Sequence, residues 1–397
     1  MDIIIQKFGG TSVATEESRE AVFHKIAQAQ AKGLSSVVVV SAIGRKGSPY
    51  ATDTLIDFVS QTAGSMADAD YDLLLSCGEI ISAVTMATLL RQRGFKAKAL
   101  TGGQAGILTD SYHKNAELLY THTDRLLGYL ESGVIPVVAG FQGITESGEI
   151  TTLGRGGSDT TAAILGAALK AKCIEIYTDV NGIMTADPRV YAQAKIIPSI
   201  SYTEVFQMAD SGAKVIHPRA VEYARSANIP LVIKNTFSEE PGTFIVQQVK
   251  EKAEGKAAIL TSVAHKMNRV QFTIQDEVLS KRELLQEIAS HNISIDLINI
   301  FPQHKIFTVD KEDQNQLEAL LTQGGYSYTF IVGCAKVTAI GERMTGVPGV
   351  MARMMKALAK ENIEILQTAD SLTTISCLIK EEKVKDAVTL LHEEFGL

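Results

Sequence analysis

Six short apolar runs rich in Val and Ile recur through the first 236 positions, at residues 3–5, 37–41, 97–101, 135–139, 174–178 and 231–234. Most hold apolar residues at consecutive positions instead of every second one, which suits strands covered on both faces, as in a parallel sheet between helices. Residues 16–31, 80–93, 115–131 and 160–171 carry helical spacing between those runs. The alternation predicts an α/β fold over residues 1–237, a sandwich of helices around a mostly parallel sheet.

Beyond that point the texture changes. Ser238-Glu239-Glu240-Pro241-Gly242 is turn chemistry and residues 249–256 are charged, so 238–256 reads as a linker. The remainder repeats itself. Leu284, Leu285, Ile288, Ala289, Asn292, Ile293 and Ile295 recur 70 positions later as Met354, Met355, Leu358, Ala359, Asn362, Ile363 and Ile365. Each copy predicts an amphipathic helix, an Asn turn and a strand beginning Ile-x-Ile, and hence two α+β modules of βαββαβ type at 257–330 and 331–397. Whether one module is inserted in the other stays open.

The 397 residues suffice for two or three domains. With 38 Lys and Arg against 45 Asp and Glu, the net charge is −7 and no basic run forms a face for a phosphate backbone, which argues against a nucleic-acid partner. Four widely separated cysteines suggest neither a zinc site nor a disulfide framework. The first residues lack a basic stretch before an apolar one, and no run of ~18 apolar residues occurs, so a cytoplasmic chain with no membrane partner is expected.

Four stretches carry chemistry. Lys7-Phe8-Gly9-Gly10-Thr11-Ser12 lies between the first strand and the first helix. Glycines at such a turn let main-chain N–H groups converge on an anion, the helix N-terminus adds partial positive charge, and Lys7 adds a full one. The same stretch also reads as an ordinary Gly-Gly turn with a solvated Lys. Gly154-Arg155-Gly156-Gly157-Ser158-Asp159-Thr160-Thr161 precedes an Ala-rich helix, with Ser158 or Asp159 as its N-cap and Arg155 free to grip a carboxylate or phosphate. Thr178-Asp179-Val180-Asn181-Gly182 and Thr185-Ala186-Asp187-Pro188-Arg189 follow a strand end, where ligands bind in open α/β sheets. Gly212-Ala213-Lys214-Val215-Ile216-His217-Pro218-Arg219 adds two more cations.

In this order, and joined by Ser76-Cys77-Gly78-Glu79 and Thr52-Asp53-Thr54-Leu55, these motifs resemble those of the aspartate kinases of the amino-acid kinase family. The resemblance spans the chain, because such enzymes carry two ACT modules after an amino-acid kinase fold, a three-layer sandwich. It implies transfer of the ATP γ-phosphoryl group to the side-chain carboxylate of L-aspartate, with Mg2+ carried on the nucleotide. By matching residue, Lys7, Phe8, Gly9, Gly10 and Thr11 would line the phosphate cradle, and Thr178, Asp179, Arg189 and Lys214 would hold the nucleotide. Arg155 would grip the α-carboxylate of aspartate and Glu79 would face its α-ammonium, with Thr52 nearby, and Ser41 at the end of the second strand is a further pocket candidate. Ser158 and Asp159 would sit at the reacting end. No resident metal site is implied. An amino-acid effector would bind the ACT modules, for which Asp296, Asn299 and Gln367 are candidates, and those modules would build a homodimer or larger homo-oligomer.

Two departures stand out. Asn181 replaces a common Asp, leaving only a turn role, and Val278-Leu279-Ser280 replaces the loop seen at Pro348-Gly349 in the second copy. A substrate carboxylate with a pKa of ~3.9 is already ionised, so the chemistry needs charge neutralisation and not a general base. Asp159 is therefore expected to orient Lys7, a backbone donor or a metal-bound water. The rival readings are a kinase for another acyl or carbamoyl acceptor, opposed by Glu79, and a ligand sensor without turnover.

Overall fold

The computed structural model describes residues 1–213, 216–249, 258–275 and 284–397. These fall into two compact units, one of residues 1–183, 196–206 and 216–249, the other of 184–195, 207–213, 258–275 and 284–397. The chain begins with β1 (Ile3–Phe8), α1 (Glu16–Ala31), β2 (Ser35–Val40), α2 (Thr52–Ala63), α3 (Asp68–Gln92), β3 (Ala97–Leu100), β4 (Ile107–Thr109), β5 (Leu118–Thr121), α4 (Asp124–Glu131) and β6 (Ile135–Ala139). It continues with β7 (Gln142–Ile144), β8 (Ile150–Thr152), α5 (Gly157–Ala168), β9 (Cys173–Thr178), β10 (Ser199–Ser201), α6 (Tyr202–Asp210), α7 (Pro218–Ser226), β11 (Leu231–Asn235) and β12 (Thr243–Val246).

Eight strands form the main sheet, in the order β10-β12-β11-β9-β1-β2-β6-β3, and only β11 and β12 pair antiparallel. Val37, Val38, Val39 and Val40 have no exposed surface. Val38 and Val40 pack with Phe23 and Ile26 of α1 and Met86 and Leu90 of α3. On the other face α5 lies so close that a Cβ on Gly166 would sit 2.6 Å from the Ile174 side chain. Both faces are covered, which is why Val37 to Val40 run apolar without alternation; each buried Val contributes about 1.5–3 kcal/mol. A second sheet, β5-β4-β7-β8, completes this part of the chain.

Several local expectations are corrected. Residues 115–131 are not one helix: Leu118–Thr121 pairs as an edge strand with β4, and only α4 is helical. The apolar spacing of Leu126 and Leu130, both buried, was the only true helical signal there. Helix α3 begins at Asp68, well before residue 80. The N-cap of α5 is Gly156 in a left-handed conformation (φ 67°), and Ser158 and Asp159 lie in its first turn instead of capping it. The proposed linker, 238–256, contains β12, which pairs with β10 and β11 and extends the first unit past residue 237; the rest of the linker from 250 lies outside the described residues. Among the described residues α3 alone is long and apolar enough to cross a membrane, and half of its most apolar window is buried in the protein.

The second unit contains β13 (Ser262–Gln275), α8 (Leu284–Ser290), β14 (Asp296–Ile300), β15 (His304–Asp310), α9 (Gln314–Gln323), β16 (Ser327–Ile340), α10 (Val350–Ala359), β17 (Gln367–Asp370), β18 (Thr374–Lys380) and α11 (Val384–Phe395). Its antiparallel sheet runs β14-β15-β13-β16-β18-β17. The repeat is visible in the backbone: Asn292 (φ 57°) and Asn362 (φ 51°) are both left-handed, each turning a helix into the following strand. The two copies are not consecutive, as 257–330 and 331–397 would have them. Val270, Phe272 and Ile274 of β13 pack with Leu284, Ile288 and Leu317. Val263, earlier on the same strand, packs instead with Val337, Met354 and Leu391. The first copy is thus inserted in the second, which takes one strand from residues that precede both repeated helices.

Candidate active site

A cleft of about 560 Å³ opens where β1, β2 and β6 end and α5 begins. Lys7, Gly10, Ser41, Thr52, Glu79, Ser158 and Asp159 line it. Near the end of β1, Lys7 extends its ammonium to 2.6 Å from Asp159 Oδ1 in the first turn of α5, and both side chains are mostly shielded from solvent. Glu79, on α3, is buried. Its Oε1 accepts a hydrogen bond from the Ala42 N–H at 3.1 Å, while Oε2 has no partner. Burial pushes this carboxyl up from 4.5 to about 8, against smaller opposing effects of the Ala42 N–H and the Lys7 charge. The cleft thus holds a fixed cation beside a buried carboxyl group with a free oxygen.

Glycines bring the main chain close. A Cβ on Gly10 would stand 2.6 Å from the carbonyl oxygens of both Ala42 and Gly44, so the turn after β1 tolerates no side chain there. Gly156 is left-handed, and a Cβ there would collide with His217.

The amino acid kinase family pattern matches residues 2–235, and an ACT domain pattern matches residues 331–393. Aspartokinase 1 of Bacillus subtilis is 44% identical over a 402-residue alignment covering 100% of both chains, and the aspartokinase of Geobacillus stearothermophilus is 40% identical over 100% of this chain and 98% of its own. This chain belongs to the aspartokinases. Among solved structures, E. coli aspartokinase III in complex with aspartate and ADP matches with a TM-score of 0.79 at 26% identity, covering 100% of each chain. The Clostridium acetobutylicum aspartate kinase shares the fold with a TM-score of 0.80 at 22% identity, covering 99% of this chain and 100% of that one. The chain is accordingly an aspartate kinase that uses ATP, with an amino acid kinase fold and a C-terminal ACT domain.

The motifs of an aspartokinase do not all converge in the cleft. Phe8 is fully buried and stacks on Tyr177 with ring centroids 4.8 Å apart, so its side chain supports the cradle from beneath and cannot touch a nucleotide. The Gly9 N–H donates to the Tyr177 carbonyl at 3.2 Å, which engages one expected phosphate donor, and Thr11 sits in the 3₁₀ turn Gly10–Val13. Ser12 and Thr236 hydroxyls lie 2.7 Å apart and tie this turn to the end of β11. The Thr178 hydroxyl donates to Asp179 at 3.2 Å, and Asp179 pairs with Arg45 at 2.6 Å. Arg155 is exposed and does not line the cleft, although its neighbours Gly156 and Gly157 do. Arg189 belongs to the second unit, where it pairs with Asp187 at 2.7 Å. Lys214 lies outside the described residues. Asn181 keeps its turn role, its side-chain oxygen accepting from Asn235 at 2.6 Å.

Sequence reasoning missed Arg45 and Lys46, which line the cleft. A signal was available: Gly44-Arg45-Lys46-Gly47 lies in the loop after β2, beginning four residues past Val40, where a ligand-facing loop belongs. In the second unit, Asp296 accepts from Lys336 at 2.6 Å, and Asn299 accepts from Gln367 at 2.6 Å. Gln367 in turn accepts from Gln271 at 3.0 Å. Asn299 and Gln367 therefore share a hydrogen bond between β14 and β17, and Asp296 is tied to Lys336.

Proposed function

We propose that this cleft transfers the γ-phosphoryl group of ATP to the side-chain carboxylate of L-aspartate, giving 4-phospho-L-aspartate and ADP. The carrying observation is the Lys7–Asp159 pair set beside Glu79, whose second oxygen is buried and unpartnered. The nucleophile is an ionised carboxylate, so the bond from oxygen to phosphorus forms as the bond to ADP breaks, and no proton has to move. The obstacle is repulsion between two anions. In this reading Lys7 neutralises the transferring group, and Arg45 and Lys46, paired with Asp179 and Asp57, stand along the rim. Asp159 fixes the Lys7 ammonium; it has no proton to accept.

Glu79 suits the α-ammonium of aspartate, because a buried oxygen without a donor is costly until a cation meets it. Arg155, on the loop that enters α5, suits the α-carboxylate, and Ser41, Thr52 and Ser158 offer hydroxyls in the cleft. Thr178, Asp179 and Lys214 are assigned to the nucleotide, on the family pattern. No group of three or more His, Cys, Asp or Glu side chains forms a metal cage among the described residues. Mg2+ would enter on the nucleotide phosphates, where it would neutralise charge. We place the enzyme in the cytoplasm, at the first step toward lysine and diaminopimelate, threonine and methionine. One of those end products would act through the ACT modules, around Asp296, Asn299 and Gln367, in a homodimer or larger homo-oligomer. The lysine complex of E. coli aspartokinase III supports an amino acid as the effector class.

The test is incubation with Mg-ATP, hydroxylamine and either aspartate or succinate. Aspartate should yield the hydroxamate that only an acyl phosphate gives, and succinate, which lacks the ammonium group, should not. Equal turnover of both would refute the role of Glu79, and no hydroxamate from any dicarboxylate would refute the reaction.

A further inference from the structure

Asp72 is a buried carboxylate that the chemistry does not use. It has no exposed surface and does not line the cleft. It lies seven residues before Glu79 on α3, about two helical turns, so the two carboxyl groups share one buried face of the helix.

What Asp72 holds is the approach to Arg155. Its carboxylate accepts from the Thr152 N–H at 2.9 Å and from the Thr152 hydroxyl at 2.6 Å. It also accepts from the Lys114 N–H at 3.0 Å and lies 2.9 Å from His113 Nδ1. Thr152 ends β8, three residues before Arg155. The next residue is gripped as well: the Leu153 N–H donates to the Phe141 carbonyl at 2.8 Å, and the Leu153 carbonyl accepts from Arg219 at 2.9 Å. Arg219 also donates to the Ala116 carbonyl at 2.7 Å, and the Ala116 N–H returns to the Thr152 carbonyl at 2.9 Å. The strand end is therefore fully tied down, whereas Arg155 just beyond it carries no ion pair among the described residues.

A buried carboxylate is destabilising unless its oxygens are saturated by donors, and an apolar side chain would pack α3 against β8 with less penalty. Its presence is explained if the spacing between α3 and this strand end must be set rather than merely filled. We propose that Asp72 is a positioning residue for aspartate recognition: through Thr152 it fixes the root of the Arg155 loop relative to Glu79 on the same helix. The two ends of the amino-acid head group are then read by side chains whose separation one carboxylate controls. The proposal rests on the reading that Arg155 binds the α-carboxylate.

The experiment compares steady-state kinetics of Thr152→Val, Thr152→Ser, Asp72→Asn and Arg155→Ala in the full chain, with hydroxamate formation as the readout. Thr152→Val removes one donor while keeping the side-chain shape, so it carries the test even where Asp72→Asn fails to fold. The expected result is an aspartate KM raised about tenfold in Thr152→Val, with the KM for ATP within about twofold of wild type. Thr152→Ser, which keeps the hydroxyl, should restore the aspartate KM. A merely structural role would lower the melting temperature and leave both KM values in place. An unchanged aspartate KM in Thr152→Val, alongside a raised one in Arg155→Ala, overturns the role of Asp72 and leaves that of Arg155 standing. An unchanged aspartate KM in Arg155→Ala overturns the assignment of Arg155, and this proposal with it.

Discussion

Replacing Glu79 by Gln separates charge from shape at the buried end of the cleft. In the free enzyme burial lifts this carboxyl from 4.5 to about 8, so at neutral pH it is mostly protonated. At about 1.36 kcal/mol per pH unit, holding it ionised without a partner costs on the order of 5 kcal/mol. A substrate ammonium at Oε2 offsets that cost, and binding then releases a proton. The aspartate KM of the wild type should consequently fall about tenfold per unit as pH rises toward 8 and level off above it. Glu79→Gln should flatten this dependence and raise KM at pH 8.5 by roughly 10- to 100-fold, the worth of a charged hydrogen bond of ~1.5–3 kcal/mol. Stability supplies a second reading of the same carboxyl. Its folded value lies above its unfolded one, so the folded state binds more protons between about 4.5 and 8, and wild-type stability is lost as pH rises through that window. The melting temperature of Glu79→Gln should therefore gain on wild type between pH 5 and pH 9. A constant difference in melting temperature, together with parallel pH profiles of KM, would refute the reasoning.

Lys7→Ala should lower kcat by about 10²- to 10³-fold in the hydroxamate assay, because the ammonium acts on charge that develops in the transition state, and should lower the melting temperature in calorimetry, because it leaves the shielded Asp159 carboxylate without its partner. Gly10→Ala should destabilise by about 1–3 kcal/mol in urea unfolding and weaken nucleotide binding, since its methyl group would stand 2.6 Å from two carbonyl oxygens. Arg45→Ala should raise the KM for ATP severalfold and leave that for aspartate in place, because it frees Asp179 and removes a cation from the cleft rim. Phe272→Ala, fully buried against Phe307, should destabilise the second unit by about 3–5 kcal/mol in urea unfolding.

Much of the fold was legible because apolar patterning is local. Val37 to Val40 announce a strand covered on both faces without reference to what covers it, and the six runs all became strands of the main sheet. The Asn292 and Asn362 turns were legible for the same reason: a left-handed residue between helix and strand is a property of a few consecutive positions. Residues 118–121 misled because a short edge strand and the end of a helical pattern look alike until a partner is known. The site divided in the same way. Lys7, Glu79, Ser158 and Asp159 stood in recognisable motifs, whereas Arg45 and Lys46 stood in a loop that only its neighbours make part of the cleft.

The sequence by itself determined that six apolar runs become strands of the main sheet, that the C-terminal part repeats itself, and which family motifs the chain carries. Only the tertiary structure decided that the first copy is inserted in the second, that Phe8 lies under the cradle, and that Lys7 meets Asp159. The reason is physical: periodicity is set over a few residues by the geometry of one helix or strand. Strand pairing, desolvation and ion pairing depend instead on groups far apart in the chain, such as Lys7 and Asp159, which come within 2.6 Å only when β1 and α5 pack together.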